Sequence, residues 1–290
     1  MLRYVTKRFP KAGRIGLTPR ICRKCCALYI LAYIVVGVLT GLLAGLLGVG
    51  GGLVIVPLLV FCFTQQSMPQ DVIMHLALGT SLATIVFTSV SSFTAHHRRG
   101  GVDWRAFRRI VPGIVLGTLS GTVVASSLPT GPLKGLFACF LLFVAVQMLI
   151  DKKPRPSRDL PGWWPMSAVG AVIGFVSSLV GIGGGTLSVP FLIWCQLTVH
   201  RAIGTSAAIG FPIAVAGSLG YLANGWGDPQ LPAGAVGYVY VPALLCIAAT
   251  SVLVAPLGVR LAHTLPVRPL RRAFAVLLVV LAARMLWSLF

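Results

Sequence analysis

The chain alternates long apolar runs with short polar or basic breaks, and most of the runs have the length of a membrane helix. Residues 27–47 hold about one bilayer's worth of helix, ~20 residues. A Gly-rich turn follows, and residues 53–63 then form a run too short to span alone. Three longer runs cover 72–95, 106–127 and 132–150. The stretch 151–162, DKKPRPSRDLPG, is polar, charged and Pro-rich, and reads as a linker. After it the order repeats: 163–181, a Gly turn, the short run 186–195, then 201–223, 235–258 and 269–289. Open strands cannot span lipid, so every run is expected to be helical. The predicted fold is an all-α polytopic membrane protein of two homologous halves, 27–150 and 163–290, preceded by a basic extension, 1–26.

The halves share more than their rhythm. GVGGGLVIVPL at 48–58 matches GIGGGTLSVPF at 181–191. Ala77-Leu78-Gly79-Thr80-Ser81 matches Ala202-Ile203-Gly204-Thr205-Ser206, and Leu128-Pro129 matches Leu265-Pro266. Because 27–58 is matched by 163–191, the first apolar run belongs to the repeat and is not a signal peptide.

Loop charge fixes how the halves relate. The break at 96–109 carries Arg98, Arg99, Arg105, Arg108 and Arg109, whereas its counterpart 224–234 has no basic residue. One loop later the bias swaps. Only Lys134 lies near the break in the first half, while 259–272 carries Arg260, Arg268, Arg271 and Arg272. By the positive-inside rule, equivalent loops then lie on opposite faces. Five segments per half, an odd number, require the same inversion, a known transporter plan. The extension resists this scheme. Its eight Lys and Arg favour the cytoplasm, while the inverted plan places it outside. Re-entry of 53–63, later charges that override it, or an upstream addition would each account for the conflict.

Composition narrows the chemistry. Apolar residues make up 57% of the 290 and charged residues 10%, with five Asp and no Glu. A soluble domain of this length does not cover itself with so little charge. The formal charge of +19 sits in clusters between apolar runs, which fits anionic lipid rather than nucleic acid. Asp71, Asp103, Asp151, Asp159 and Asp228 all fall in loops or at segment ends, so no carboxylate is expected mid-membrane, where cation carriers place one. Cys22, Cys25 and Cys26 form a C-x-x-C-C without a second pair or a His at ligand spacing, so no metal and no cofactor is expected. No nucleophile–base pair suggests an enzyme.

What remains at depth is backbone and hydroxyl. A broken helix exposes N–H groups and the positive end of a helix dipole, which suit an anion. The candidate site is therefore Gly48, Gly50, Gly51 and Gly52 with Thr80 and Ser81 in one half. In the other it is Gly181, Gly183, Gly184 and Gly185 with Thr205 and Ser206. Thr186 and Ser188 add hydroxyls in the second half alone. Two bland readings stand beside this one: the glycines pack helices closely, and the Thr-Ser pairs bond their own helix. His75 either touches substrate, relays protons or is simply hydrated. Arg201, one turn before Thr205, either guides an anion or sets topology.

The segments GLLGVGGGLVIVPLL, LGTSLA, SLVGIGGGTLSVPFL and IGTSAA resemble the TauE/SafE sulfite exporter family of membrane transporters over about residues 30–290. The resemblance implies two related halves and export of sulfite or organosulfonate anions across a bacterial inner membrane. The basic extension departs from the family pattern. The expected partners are a small anionic substrate and membrane lipid. A channel-like or scaffolding membrane protein is the other reading. Oligomeric state is left open.

Overall fold

Two Gly-rich turns meet at the centre of the molecule, and the helices are arranged to bring them there. The computed structural model describes residues 19–47, 51–150, 160–262 and 267–288. Within them the chain forms ten helices: α1 (Pro19–Leu47), α2 (Gly52–Gln65), α3 (Ile73–Arg98), α4 (Trp104–Ser127), α5 (Thr130–Ile150), α6 (Trp163–Val180), α7 (Gly185–Trp194), α8 (Val199–Asn224), α9 (Val241–Ala262) and α10 (Val267–Trp287). Five of them, α3 to α6 and α8, are long and apolar enough to cross a bilayer. Exposed Leu116, Val172, Leu219 and Leu253 form part of an apolar outer surface.

The predicted run 235–258 differs in one respect. It opens with an antiparallel pair, β1 (Ala235–Val236) and β2 (Val239–Tyr240), and becomes helical only at Val241. Gly234 and Gly237 both have positive φ, which a helix does not tolerate and a tight hairpin uses. The first helix also differs, beginning at Pro19 inside the basic extension.

The short helices do not continue onward. α2 has 14 residues and α7 has 10, about 21 and 15 Å of helix, less than the ~30 Å of a bilayer core. The Tyr29 hydroxyl donates to the Gln65 carbonyl at 3.0 Å, so the end of α2 returns to the level of Tyr29, in the N-terminal half of α1. The Gln66 side-chain amide donates to the Tyr33 hydroxyl. In the second copy the path is fixed by neighbours. Arg109, at the start of α4, donates to Pro161 before α6, and Asp103 donates its N–H to Thr205 near the start of α8. The starts of α4, α6 and α8 therefore share one end, and α7 reaches α8 through only four residues. Each pair, α1–α2 and α6–α7, is a hairpin that enters and returns at the same end.

The long helices frame those hairpins. α3 and α8 run antiparallel, with Gly79 against Tyr221 and Gly217 against Leu82. α4 lies parallel to α6 through Gly113, Gly117 and Gly121 on one side and Gly170 and Gly174 on the other. α1 lies parallel to α9 through Gly37 and Gly41, against Ile247, Thr250 and Ser251. Small residues let backbones approach where lipid offers no hydrophobic drive for association. Exchanging the two copies exchanges the α4–α6 and α1–α9 pairs and maps the α3–α8 and α5–α10 pairs onto themselves.

Candidate functional site

The hairpin tips touch. A Cβ on Gly52 would lie 2.6 Å from the Gly181 carbonyl, and one on Gly210 would lie 2.9 Å from the Gly183 carbonyl. Ser81 donates to the Gly181 carbonyl at 2.9 Å. Ile85 of α3 packs against both Gly52 and Gly183. Ser81, Ile85 and Gly210 sit near mid-length of α3 and α8, so the tips meet halfway along the spanning pair.

The second tip is polar. α6 ends at Gly181 with φ +67°, and α7 starts after Gly184 with φ +74°. A left-handed residue at each turn is what glycine supplies without a steric penalty. Leu187 and Ser188 donate to the Gly184 carbonyl at 3.2 and 2.9 Å. The N–H groups of Gly183, Gly184, Gly185 and Thr186 meet no acceptor among the described residues, the ordinary state of a helix N-terminus without a side-chain cap. The Ser188 hydroxyl bonds the Gly184 carbonyl at 2.8 Å and lies 2.7 Å from the Ser206 hydroxyl. Ser177 Oγ and Thr186 Oγ1 are buried and have no partner among the described residues. Ser177 is 2% exposed, and its hydroxyl lies 3.7 Å from the point a Gly184 Cβ would occupy.

The first tip repeats the backbone without the hydroxyls. Gly51 has φ +70°, and Val54 and Ile55 both donate to its carbonyl at 3.1 Å. Leu53, Val54 and Ile55 are buried. Gly48 and Gly50 lie outside the described residues. Pro57 and Pro190 take the same sixth place in their helices, each removing a backbone donor.

Thr80 and Thr205 join the copies to each other. Thr205 Oγ1 accepts the N–H of Asp103, the residue before α4, at 2.8 Å. Thr80 Oγ1 accepts the N–H of Tyr240, the residue before α9, at 2.9 Å. Beside each threonine a glycine admits the loop. A Cβ on Gly204 would sit 2.2 Å from the Gly101 carbonyl, and one on Gly79 would sit 2.1 Å from the Tyr238 carbonyl. The two clasps close opposite ends of the α3–α8 pair. The inner neighbours Ser81 and Ser206 face the tips instead.

Charge is kept away from this centre. Asp71, Asp103 and Asp228 lie in loops at the helix ends, and Asp151 and Asp159 fall outside the described residues. The described residues hold no group of three His, Cys or acidic side chains able to bind a metal ion. Arg201 forms an exposed ion pair with Asp103 at 3.7 Å. Sequence reasoning passed over Ser177, although it stands one helical turn before Gly181, where its hydroxyl faces the turn. Thr118 Oγ1 is also unpartnered, but it sits against Gly174 in the α4–α6 seam.

The sequence pattern of the family described as "Sulfite exporter TauE/SafE" matches residues 33–285. A "Probable membrane transporter protein" of Haemophilus influenzae is 39% identical over 240 residues, 82% of this chain and 90% of that protein. One from Methanocaldococcus jannaschii is 31% identical over 82% of this chain and 88% of its own. A Bacillus subtilis relative of the same description is 30% identical over 62% of this chain and 73% of its own. No solved structure matches the chain. With its apolar helices and these relatives, the chain is a multi-pass membrane transporter, not an enzyme, and it belongs to the TauE/SafE sulfite exporter family.

Proposed function

We propose that the protein exports small anions, sulfite or organosulfonates first, across a bacterial inner membrane, and that the anion binds at the meeting hairpin tips. The observation that carries this reading is the second tip. Four N–H groups at the start of α7 lie beside the unpartnered hydroxyls of Ser177 and Thr186. A helix N-terminus carries roughly half a positive charge, and hydrogen bonds to a charged partner contribute about 1.5–3 kcal/mol each. A tetrahedral or pyramidal oxyanion has the acceptors to use them. Gly181, Gly183, Gly184 and Gly185 let it approach the backbone, Ser206 and Ser81 stand behind, and Gly51 and Gly52 close the opposite side. Thr80 and Thr205 belong to this frame chiefly by fastening the loops that cover it. Among the described residues no carboxylate lies at the tips to repel an anion.

In this reading the halves 27–150 and 163–290 are inverted repeats joined by 151–162. Loops 96–109 and 259–272 are cytoplasmic and 224–234 is periplasmic. The antiparallel α3–α8 pair and the exchange of pairings between copies support that plan. Transport then requires the two clasps to open in turn. The test is flux of labelled sulfite, sulfate and a sulfonate in proteoliposomes, with and without an imposed pH gradient. Saturable flux of sulfite or the sulfonate is expected. Absence of flux for every anion, or equal flux of a monovalent cation, overturns the proposal.

A further inference from the structure

A cavity of about 300 Å³ opens at the end of the molecule where α3 begins, lined by Asp71, His75, Ser127, Asp228, Gln230 and Tyr238 among others. It is separate from the hairpin tips, and its chemistry is opposite. His75 is 4% exposed. Its Nε2 lies 3.0 Å from the Ala125 carbonyl and 3.1 Å from the Leu128 carbonyl. Both oxygens only accept, so Nε2 carries the hydrogen and donates. In the neutral ring Nδ1 is then a bare acceptor, and it has no partner among the described residues.

We propose that this cavity is a proton site, that His75 Nδ1 is the atom that takes the proton, and that loading it fastens the loop 225–240 over the start of α3. The step is a transfer from hydronium to the Nδ1 lone pair, releasing water; nothing is oxidised or reduced. The cavity is built to hold the resulting imidazolium. Asp71 and Asp228 line it. The Tyr238 ring stands 5.1 Å from the His75 ring at 33°, where a cation gains from the aromatic face. Tyr238 donates to Asp228 at 3.1 Å, and burial and that carboxylate push its phenol above the usual tyrosine range, so it stays a donor. Opposing the charge is the burial of the ring itself, which disfavours an imidazolium; Lys134, the other buried cation at this end, stands on α5 one turn past Thr130, whose hydroxyl bonds the Asp71 carbonyl at 2.6 Å. The same carboxylates disfavour a small anion in this cavity.

The link to the clasp is direct. Tyr238, stacked on His75, also sets its carbonyl against Gly79, and Tyr240 donates to Thr80. His75 thus ties three elements together: the start of α3, the end of α4 and the loop that closes this end. That this end is periplasmic, and that clasp opening accompanies transport, rests on the function proposed above.

The test is hydrogen exchange of the full chain in lipid nanodiscs across acid to neutral pH, corrected for the intrinsic exchange rate. Peptides covering 225–240 should be more protected at acid pH in the wild type, and His75→Gln, whose amide still donates to both carbonyls, should abolish that change. Asp228→Asn should move its midpoint to lower pH. Protection that does not change with pH in the wild type, or that changes equally in His75→Gln, overturns the proposal. If His75→Gln does not fold, Asp228→Asn decides, an unshifted midpoint being contrary. Because no substrate is used, the result stands whether or not sulfite proves to be carried.

Discussion

The two hairpin tips have the same backbone and different side chains. Gly51 and Gly184 share a left-handed φ, +70° and +74°, and each carbonyl accepts from the N–H groups three and four residues on. Past that point they part. Leu53 and Ile55 are buried hydrocarbon in the first tip, while Thr186 and Ser188 hold the same places in the second. Shared backbone with divergent side chains separates two jobs. Both tips must break the helix and fit against each other. Both leave N–H groups unused at the helix start, and the second adds hydroxyls, Ser177 and Thr186, that have no partner among the described residues.

The largest expected effect tests what the tips share. Gly184→Leu would force a side chain into φ +74° and place its Cβ 2.4 Å from Ile213 Cδ1. Left-handed geometry alone costs a non-glycine about 1–2 kcal/mol. Flux should be lost, and Gly51→Leu should do the same at the apolar tip. A Gly51→Leu variant that transports normally would break the equivalence of the two turns.

Next comes the frame around them. Thr205→Val leaves the Asp103 N–H without its acceptor, and Thr80→Val does the same to Tyr240. Losing a hydrogen bond of this kind at a half-buried donor costs about 0.5–1.5 kcal/mol. Both variants should melt several degrees below the wild type in detergent. Ser177→Ala sharpens the contrast, because no bond of the protein is lost. Its melting point should hold while anion affinity falls about tenfold, the worth of one charge-assisted hydrogen bond. Lowered melting for Ser177→Ala would mean that the hydroxyl is structural.

The smallest effect is expected at Arg201→Gln. The side chain is 55% exposed and its pair with Asp103 is long. Such surface pairs contribute at most about 1 kcal/mol. A large loss of flux without a change in melting would instead make Arg201 part of the anion's path.

Sequence made the tips legible and left the clasps dark. Glycine at a left-handed turn and proline six residues into a short helix are local signals, so the breaks could be read from 48–58 and 181–191 alone. The length of 53–63 and 186–195 left spanning and re-entry both open; a single long-range bond, Tyr29 to Gln65, resolves the first hairpin's path. The threonines were harder. A hydroxyl on a helix does not reveal which loop will lie upon it, and here the donors are 160 and 102 residues away. Placed among the anion contacts by type, Thr80 and Thr205 are found holding loops. Ser177 was missed because serine in an apolar helix usually bonds its own backbone, as Ser178 does to Phe175; only the fold shows that its neighbour is unsatisfied. The 235–240 hairpin was hidden by apolar residues that suit strand and helix alike.

The most direct test of a second-tip anion site is Thr186→Asp. Thr186 is the second residue of α7, with its hydroxyl buried; there the helix N-terminus favours a carboxylate by up to about 2 kcal/mol, which offsets part of the cost of burying the charge. The variant should therefore fold and melt close to the wild-type temperature. Its fixed negative charge would occupy the N–H groups and repel the substrate. Flux of labelled sulfite and sulfonate in proteoliposomes should vanish while melting is preserved. Wild-type flux from a well-folded Thr186→Asp would contradict the account, because no anion could share those N–H groups with a carboxylate.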